Sequence, residues 1–323
     1  QIKALQAAYR NAGIDPSTVK LMEAHGTGTR VGDLVEFRAL SRVFGKSEKT
    51  DKCALGSVKS MIGHTKAAAG TAAIIKAALS LWNKVLPPTL KAEEPDPKLN
   101  ISESPFYLSR ETRPWLSNKK HPRRAAVSSF GFGGSNFHVV LEEHDKKKTH
   151  VSWDGSVEIF AFSATTWQKV AENLQHLKID FDNGLSELEF SNKASETRAV
   201  FSFVDPFRLL LVFERSVTGT RNSIENFSAL LTDALNTLES NGSKNFYRTR
   251  NIFWGRSEKP GKLAFAFPGQ GSQYVGMGRD LVCGFPEAIQ ILNDFNEKFE
   301  NRPLLSDFIY PNPATGKVRK PQI

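Results

Sequence analysis

Glu23–Thr29 reads EAHGTGT and sets one histidine, His25, between a short apolar segment and a run of glycine and threonine. A second stretch, Gly56–Lys66, reads GSVKSMIGHTK, sets His64 in a similar frame and leads into an alanine-rich run. Each apolar segment predicts a buried strand whose end presents a histidine, and the run from 65 to 83 predicts a long helix. Alternation of strands and helices is typical of the α/β class, which is the fold class that we expect here.

The pattern extends on both sides of the two histidines. Apolar residues at helical spacing predict a helix over 5–12 that ends at Gly13 and another over 33–44 that ends at Gly45. Strands are predicted at 19–24, 54–58, 125–130 and 137–142, the last two joined by a glycine-rich turn. The stretch from 91 to 121, rich in proline, serine and charge, is expected to follow the surface.

The sequence changes character after Glu143. A polar, basic connector at 145–149 is followed by segments that predict a strand at 159–162, a capped helix to Leu177, a strand at 209–213 and a helix at 224–238. This middle region has α+β character and contains no chemical motif. A last strand is predicted at 263–267, directly before PGQGSQ at 268–273.

Length and composition limit the class of protein. The 323 residues, 40% hydrophobic and 24% charged, are typical of a globular chain in water with two or more domains. No apolar run approaches the ~20 residues that a helix needs to cross a bilayer, so we expect no membrane span. The two cysteines, Cys53 and Cys283, lie far apart in the sequence, which favours a reducing, cytoplasmic location.

The net charge of +9 raises the question of nucleic-acid binding. The basic residues are scattered, apart from clusters at 119–124 and 146–148 that both lie in predicted loops, so we expect no nucleic-acid partner. Such a surface could instead help to dock an acidic protein.

Two histidines in glycine-rich frames indicate a site more strongly than one would. A neutral imidazole can donate its N–H to a developing oxyanion. Neither histidine has a second histidine, a cysteine or an acid at the short spacing of zinc ligands, so we expect no metal. The glycine clusters do not complete G-x-G-x-x-G, which argues against a dinucleotide site.

Three motifs, in this order, resemble those of β-ketoacyl synthases, condensing enzymes with a thiolase-like layered fold: Glu23–Thr29, Gly56–His64 and Ser129–Asn136 (SFGFGGSN). On this resemblance residues 1–143 are the C-terminal part of a β-ketoacyl synthase, and 144–261 are an α+β linker domain between synthase and acyltransferase. Residues 262–323 resemble the start of an α/β malonyl/acyl-CoA:ACP transacylase, through FPGQGSQ at 267–273. The order of the parts is that of type I polyketide and fatty acid synthases. GDLVE at 32–36 looks closest to polyunsaturated fatty acid synthases.

The resemblance implies decarboxylative Claisen condensation of an acyl thioester with malonyl carried on an acyl carrier protein. His25 and His64 would be catalytic, donating hydrogen bonds to the malonyl thioester oxygen and stabilising the enolate. Lys59 would be the third catalytic residue, with Glu36 as its buried ion-pair partner. We also expect the positive end of the following helix to favour the neutral form of His64.

Further site residues follow from the same resemblance. The substrate-binding residues would be Thr27, Thr29, Phe130 and Gly134. For the two threonines, which match positions that bind the phosphopantetheine arm, turn capping is the alternative explanation. Phe132 matches a gating aromatic, supported by Gly133 in a loop that can swing. Gln270 matches the residue whose backbone N–H serves the oxyanion hole of the acyltransferase.

The family's nucleophile is a cysteine in a Cys-Ser-Ser type motif ahead of the first histidine, and neither Cys53 nor Cys283 has that position. The G-x-S-x-G elbow of an acyltransferase does not occur either. We therefore expect this chain to be inactive alone and competent only within the complete synthase, which is usually a homodimer in this family.

The expected partners are the acyl carrier protein, the acyl and malonyl thioesters and the remaining domains of the synthase. No cofactor would be bound directly, because the carrier protein brings the 4′-phosphopantetheine. Two alternatives to the enzyme stay open. One is a non-catalytic partner of the chain-length-factor type, and the other is a carrier-protein docking scaffold built on residues 150–260.

Overall fold

The computed structural model describes the chain in ranges separated by short gaps, without the side chains of 187, 188 and 220–225. These ranges are 1–45, 52–117, 120–131, 133–153, 155–184, 186–214, 220–242, 244–257, 261–262, 264–299 and 304–313. The chain forms two compact units, one of residues 1–152 and 268–323 and the other of residues 153–267.

The first 152 residues of the first unit alternate helices and strands, as the α/β prediction requires. The helices are α1 (Ile2–Ala12), α2 (Arg30–Phe44), α3 (Lys59–Ile62) and α4 (Ala69–Asn83). The strands are β1 (Leu21–Glu23), β2 (Cys53–Gly56), β3 (Val85–Leu86), β4 (Phe106–Tyr107), β5 (Arg113–Pro114), β6 (Arg124–Phe130) and β7 (Asn136–Glu142).

Five of these strands form one mixed sheet in the order β4-β2-β1-β6-β7. β1 lies parallel to both neighbours, with Leu21 opposite Ala54 and Ala125, whereas β7 is antiparallel to β6. Because β1, β2 and β6 run in one direction, their carboxyl ends share one edge of the sheet. The segments after β1 and β2 and the glycine-rich turn after β6 therefore meet there.

Helices cover both faces of this sheet and form two separate cores. On one face α1 and α2 pack through residues such as Leu5 and Leu40, which are 0% and 1% exposed. On the other face α4 packs through Ala73 and Ala77, 1% and 0% exposed, whose small side chains bring the helix close to the sheet. The layered α/β arrangement expected of the first part is confirmed.

Two details of the pattern predicted for the first 152 residues are wrong. The helix predicted from residue 65 begins as α4 only at Ala69, after a 3₁₀ turn at Lys66–Ala68, because Lys66 has a left-handed φ of 53° that no α-helix accommodates. The surface segment 91–121 contains a buried strand, since β4 pairs with β2 and Phe106 is 0% exposed. A pair of aromatic residues directly after a proline was too short a signal to predict this.

The second unit has the α+β character expected of the middle region. An antiparallel sheet in the order β10-β11-β9-β8 packs with helices around a core rich in phenylalanine. Its elements are β8 (Val157–Ala164), α5 (Trp167–Asp182), α6 (Glu187–Ala199), β9 (Phe207–Glu214), α7 (Thr220–Asn241), β10 (Phe246–Arg248) and β11 (Ile252–Arg256). As predicted, the segment before α5 caps the helix, through the Thr166 hydroxyl.

The last described residues return to the first unit as α8 (Arg279–Gly284), α9 (Pro286–Glu297) and α10 (Leu305–Ile309). The strand predicted at 263–267 is wrong for residues 264–267, which have no strand partner in the described part of the chain; Phe265 and Phe267 are 74% and 87% exposed. Leu263 lies outside the described residues. The assignment of this region to an acyltransferase stays a prediction, as do the domain boundaries at 143 and 261.

Candidate functional site

His25 lies directly beyond the end of β1, where its backbone is fixed by a buried acid. The N–H groups of His25 and Gly26 donate to the two carboxylate oxygens of Glu36 on α2, at 2.7 and 2.9 Å. Gly26 has a φ of 45°, and a Cβ there would lie 2.8 Å from Cβ of Ser57. The glycine after His25 is therefore required by the close approach of the segment that follows β2.

His64 follows α3 after Gly63, whose φ is 78°. Its Nδ1 accepts a hydrogen bond of 3.0 Å from the backbone N–H of Lys66. In a neutral imidazole one nitrogen accepts and the other carries the proton, so this bond assigns the proton of His64 to Nε2. His64 is separated from α4 by Thr65 and the 3₁₀ turn, so it does not lie directly at the N-terminus of α4 as expected.

The two imidazoles lie side by side at the carboxyl edge of the sheet. Their ring centroids are 5.6 Å apart with planes at 87°, and the ring of the buried Phe130 lies 6.0 Å from that of His25. Burial, then Lys59 and His64, lower the pKa of His25 to about 4. The pKa of the exposed His64 is also lowered, first by partial desolvation and then by the cations Lys59 and Lys66. Both rings are therefore neutral N–H donors at neutral pH.

Lys59 lies next to both histidines, but its relation to Glu36 differs from the expected ion pair. Both side chains are described, and Glu36 is bound by two backbone N–H groups instead of by the Lys59 amine. Lys59 acts on Glu36 as a nearby charge, whereas burial raises the pKa of Glu36. Partial burial in turn lowers the pKa of Lys59, against the opposing effects of Glu36 and Glu23. Lys59 and Glu36 are therefore neighbours that do not form a direct ion pair, because the backbone N–H groups of His25 and Gly26 bind the Glu36 carboxylate.

Glu23, two residues before His25, is a buried acid that the sequence analysis did not single out. Its carboxylate forms an ion pair of 2.8 Å with Lys76 on α4 and accepts the backbone N–H of Val58. The signal available in the sequence was a glutamate at the end of an apolar strand, which requires a partner when it is buried.

A cavity of about 460 Å³ opens beside His64 and Lys59. Thr27 lines it together with glycines of both histidine segments. The Thr27 and Thr29 hydroxyls lie 3.2 Å apart, and that of Thr29 accepts the Gly32 N–H as the N-cap of α2. Capping thus accounts for Thr29, and the cavity leaves Thr27 as a candidate substrate contact.

The glycine-rich turn between β6 and β7 lies beyond Phe130, at the same edge of the sheet. Gly133 and Gly134 are exposed and have φ values of 84° and 92°, a region in which any other residue would be strained. Phe132 lies outside the described residues. Gln270, the proposed acyltransferase residue, is exposed in a stretch without helix or strand. In the described part of the chain, no group of three His, Cys, Asp or Glu residues could hold a metal ion, and no helix is long and apolar enough to cross a bilayer.

Two known protein families together match most of the chain, beginning at its first residue. Residues 1–93 match the C-terminal domain of β-ketoacyl synthases, and residues 95–203 match the ketoacyl-synthetase C-terminal extension. The first match contains both histidine segments. The second begins in the first unit and extends into the second.

Similar proteins are much longer than this chain. A polyketide synthase of Streptomyces halstedii, GfsE, is 37% identical over 87% of this chain and 7% of its own length. A polyunsaturated fatty acid synthase polypeptide of a Thraustochytrium species is 32% identical over 91% of this chain and 11% of its own. A ketosynthase from module 6 of the bacillaene synthase of Bacillus subtilis 168 aligns with 30% identity over 77% of this chain and 39% of that chain, with a TM-score of 0.40.

Proposed function

The chain belongs to the β-ketoacyl synthase family of type I polyketide and polyunsaturated fatty acid synthases, and on this premise we propose that its complete protein catalyses decarboxylative Claisen condensation. The observation that carries the proposal is the pair of neutral imidazoles, 5.6 Å apart, at the edge of the sheet. Two neutral N–H donors that lie this close together are suited to hold an oxygen on which negative charge develops.

The step assigned to the pair is loss of CO₂ from a malonyl thioester. The bond between the carboxylate carbon and the α-carbon breaks, and its electron pair moves into the enolate of the thioester. The enolate oxygen then accepts hydrogen bonds from His64 Nε2–H and from His25. Because both histidines are neutral before the step, neither has to give up a proton to stabilise the charge.

In the second step the enolate carbon attacks an acyl thioester on a cysteine, and the C–S bond breaks to release the thiolate. Cys53 does not fit this role, because it is 3% exposed on β2. Cys283 does not fit either, since burial raises the pKa of its thiol to about 11. We assign the acyl-carrying cysteine to the complete synthase, and we expect this chain alone to be inactive in condensation.

The malonyl group would arrive on the phosphopantetheine arm of an acyl carrier protein. The cavity of about 460 Å³ beside His64 has Thr27 and a largely apolar wall to receive such an arm. Phe130, Gly133 and Gly134 would lie beside the reacting thioester, with Phe132 as the gate. The other proposed partners are the remaining synthase domains and, in the complete protein, a second copy of the chain.

The alternative of a non-catalytic, chain-length-factor-like partner is less well supported. Such a protein has no need for two neutral imidazoles or for a cation that keeps them neutral. A docking scaffold at 150–260 would be compatible with an active condensing site.

The proposal is tested by substituting His64 in the full-length synthase. We expect His64→Ala to lower malonyl decarboxylation by about 100- to 1,000-fold, the effect of removing one oxyanion donor, while acyl loading continues. His64→Gln, which keeps an N–H donor, should retain part of the activity. His144→Ala, at an exposed histidine, is the control and should be silent. Normal decarboxylation by His64→Ala would refute the assigned role.

A further inference from the structure

A buried ion pair lies between the two histidine segments. The Glu23 carboxylate is 0% exposed and the Lys76 side chain 10% exposed, with Oε2 and Nζ 2.8 Å apart. The second carboxylate oxygen accepts the N–H of Val58. A carboxylate withdrawn from water to this extent is stable only when its charge and its lone pairs are satisfied, and here both are.

The three partners lie on the three segments that place the histidines. Glu23 ends β1, two residues before His25. Val58 is the N-cap of α3, whose far end leads into His64. Lys76 lies on α4, the helix that follows His64. One carboxylate therefore joins the segment before the first histidine to the segments before and after the second.

The surrounding backbone is shaped to admit the pair. Gly56 lies opposite Glu23 across the β1–β2 ladder, and its carbonyl accepts the Ala24 N–H at 2.8 Å. A Cβ at Gly56 would lie 3.3 Å from Nζ of Lys76 and 3.3 Å from Oγ1 of Thr89, closer than ordinary contact. The glycine leaves room for the amine between the strand and the helix.

We propose that Glu23 and Lys76 are positioning residues. Their ion pair, between the end of β1 and α4, sets the separation of His25 and His64 without touching the substrate. This inference rests on the proposed condensation chemistry. If the pair is lost, the segments before His25 and His64 are no longer held to one carboxylate. The separation of the two N–H donors is then no longer fixed. A displacement of about 1 Å of such a group can lower a rate by about 100-fold.

A second buried ion pair between a lysine and a glutamate lies elsewhere in the first unit and provides a control. Lys84 and Glu143 form an ion pair of 2.9 Å with side chains 5% and 2% exposed, so the residue types are the same and the burial is similar, although Glu143 also pairs with Arg123 at 2.7 Å. Lys84 ends α4 and Glu143 follows β7, so this pair joins neither histidine segment to the other. It serves as the control for the loss of a buried pair as such.

The experiment compares malonyl decarboxylation with acyl loading in the full-length synthase, because the ratio of the two is independent of how much enzyme is folded. We expect Glu23→Gln and Lys76→Met each to lower this ratio by about 100-fold. Glu143→Gln and Lys84→Met should lower the melting temperature and leave the ratio unchanged. Equal ratios for the two sets of variants would overturn the positioning role.

The double variant Glu23→Gln/Lys76→Met answers the question even if the single variants fold poorly. It removes both buried charges, so the melting temperature should recover relative to the single variants. Decarboxylation should stay low, because the ion pair that joins β1 to α4 is still missing. Recovery of decarboxylation in step with the melting temperature would show that the pair is structural only.

Failure of the inference and failure of the proposed function are distinguishable. A wild-type synthase that loads acyl groups but neither decarboxylates malonyl nor condenses would refute the function, whatever the variants do. A wild-type enzyme that performs both reactions, combined with an unchanged ratio in Glu23→Gln, would refute the positioning role alone.

Discussion

His64 donates from Nε2 because the backbone of Lys66 occupies its other nitrogen. The donating residue, Lys66, has a left-handed φ of 53° directly after this N–H. A non-glycine residue in this region is uncommon and strained, and such strain is often found at functional sites. The neutral form of the ring has a separate cause, partial desolvation together with the cations at positions 59 and 66.

Lys59 should contribute to the acidic limit of decarboxylation, next to desolvation, which is the first cause of both low pKa values. Its charge lowers the pKa of both His25 and His64, and the neutral imidazole is the form that donates without a proton transfer. Lys59→Met should raise both pKa values, so activity should be lost at a higher pH as the solution is acidified. The measurement is the pH profile of decarboxylation in the full-length synthase.

The matched control for this profile is Lys3→Met, at an exposed lysine on α1, which should leave it in place. An acid limb of Lys59→Met that coincides with that of the wild type would contradict the electrostatic role of Lys59.

The residues with a distinctive sequence motif were the ones that could be predicted. His25 and His64 were found because glycine-rich frames mark them, Lys59 was found through the family resemblance, and the structure brings all three together with Glu36. The Glu23–Lys76 pair was missed because its members are 53 positions apart, and nothing in the local sequence links them. The direct Lys59–Glu36 pair was wrong because sequence cannot show that backbone amides reach the carboxylate first.

Among the elements, α4 differs most from an ordinary surface helix. Its buried face carries alanines, whereas Ile75, Leu79 and Trp82 on the other side are 54%, 53% and 60% exposed. A helix that is apolar all round is usually buried. We therefore expect another part of the complete synthase to cover this face.

Cysteine labelling tests the covering of α4. Leu79→Cys should react rapidly with a thiol reagent in the 323-residue chain and at least about tenfold more slowly in the full-length synthase, because reactivity requires access to the thiolate. Gln168→Cys, at an exposed position on α5, is the reference for reagent access. Equally fast labelling at residue 79 in both proteins would show that the face stays exposed.

Element type was predicted better than element limits. Strands β6 and β7 and helices α1 and α2 were predicted because several residues repeat the same period, and Gly13 and Gly45 mark the ends of the two helices. β4 was missed because a strand of two residues has no period to detect. Residues 264–267 have the composition of a strand but no partner strand in the described chain, which composition cannot reveal.

At the scale of the whole molecule, the candidate site belongs entirely to the first unit. Its residues come from the segment after β1, from α2, α3 and the segment that follows α3, and from β6 with the turn after it, and the second unit contributes an independent phenylalanine-rich core. The pH dependence of its stability therefore depends on the titrating groups of the first unit, among them the half-buried histidines His25 and His138.

Stability of the first unit should fall in mild acid. Burial is the first cause that lowers the pKa of both His25 and His138 to about 4, against about 6.5 in an unfolded chain. Between these values the unfolded chain binds more protons than the folded one, so the free energy of unfolding decreases as the pH falls from about 6.5 to about 4. The stabilisation is fully present above that range.

Substitution of His138 tests the predicted pH dependence of stability at a residue outside the candidate site. Its ring packs 5.1 Å from that of Tyr9, and its Nδ1 lies 3.0 Å from the Ser128 hydroxyl, on the face of the sheet covered by α1. His138→Gln keeps a polar side chain that does not titrate, so the dependence of the unfolding free energy on pH should become shallower in denaturant titrations. His144→Gln, at an exposed histidine, should leave the slope as it is. An unchanged slope in His138→Gln would mean that protonation of this ring is not coupled to unfolding.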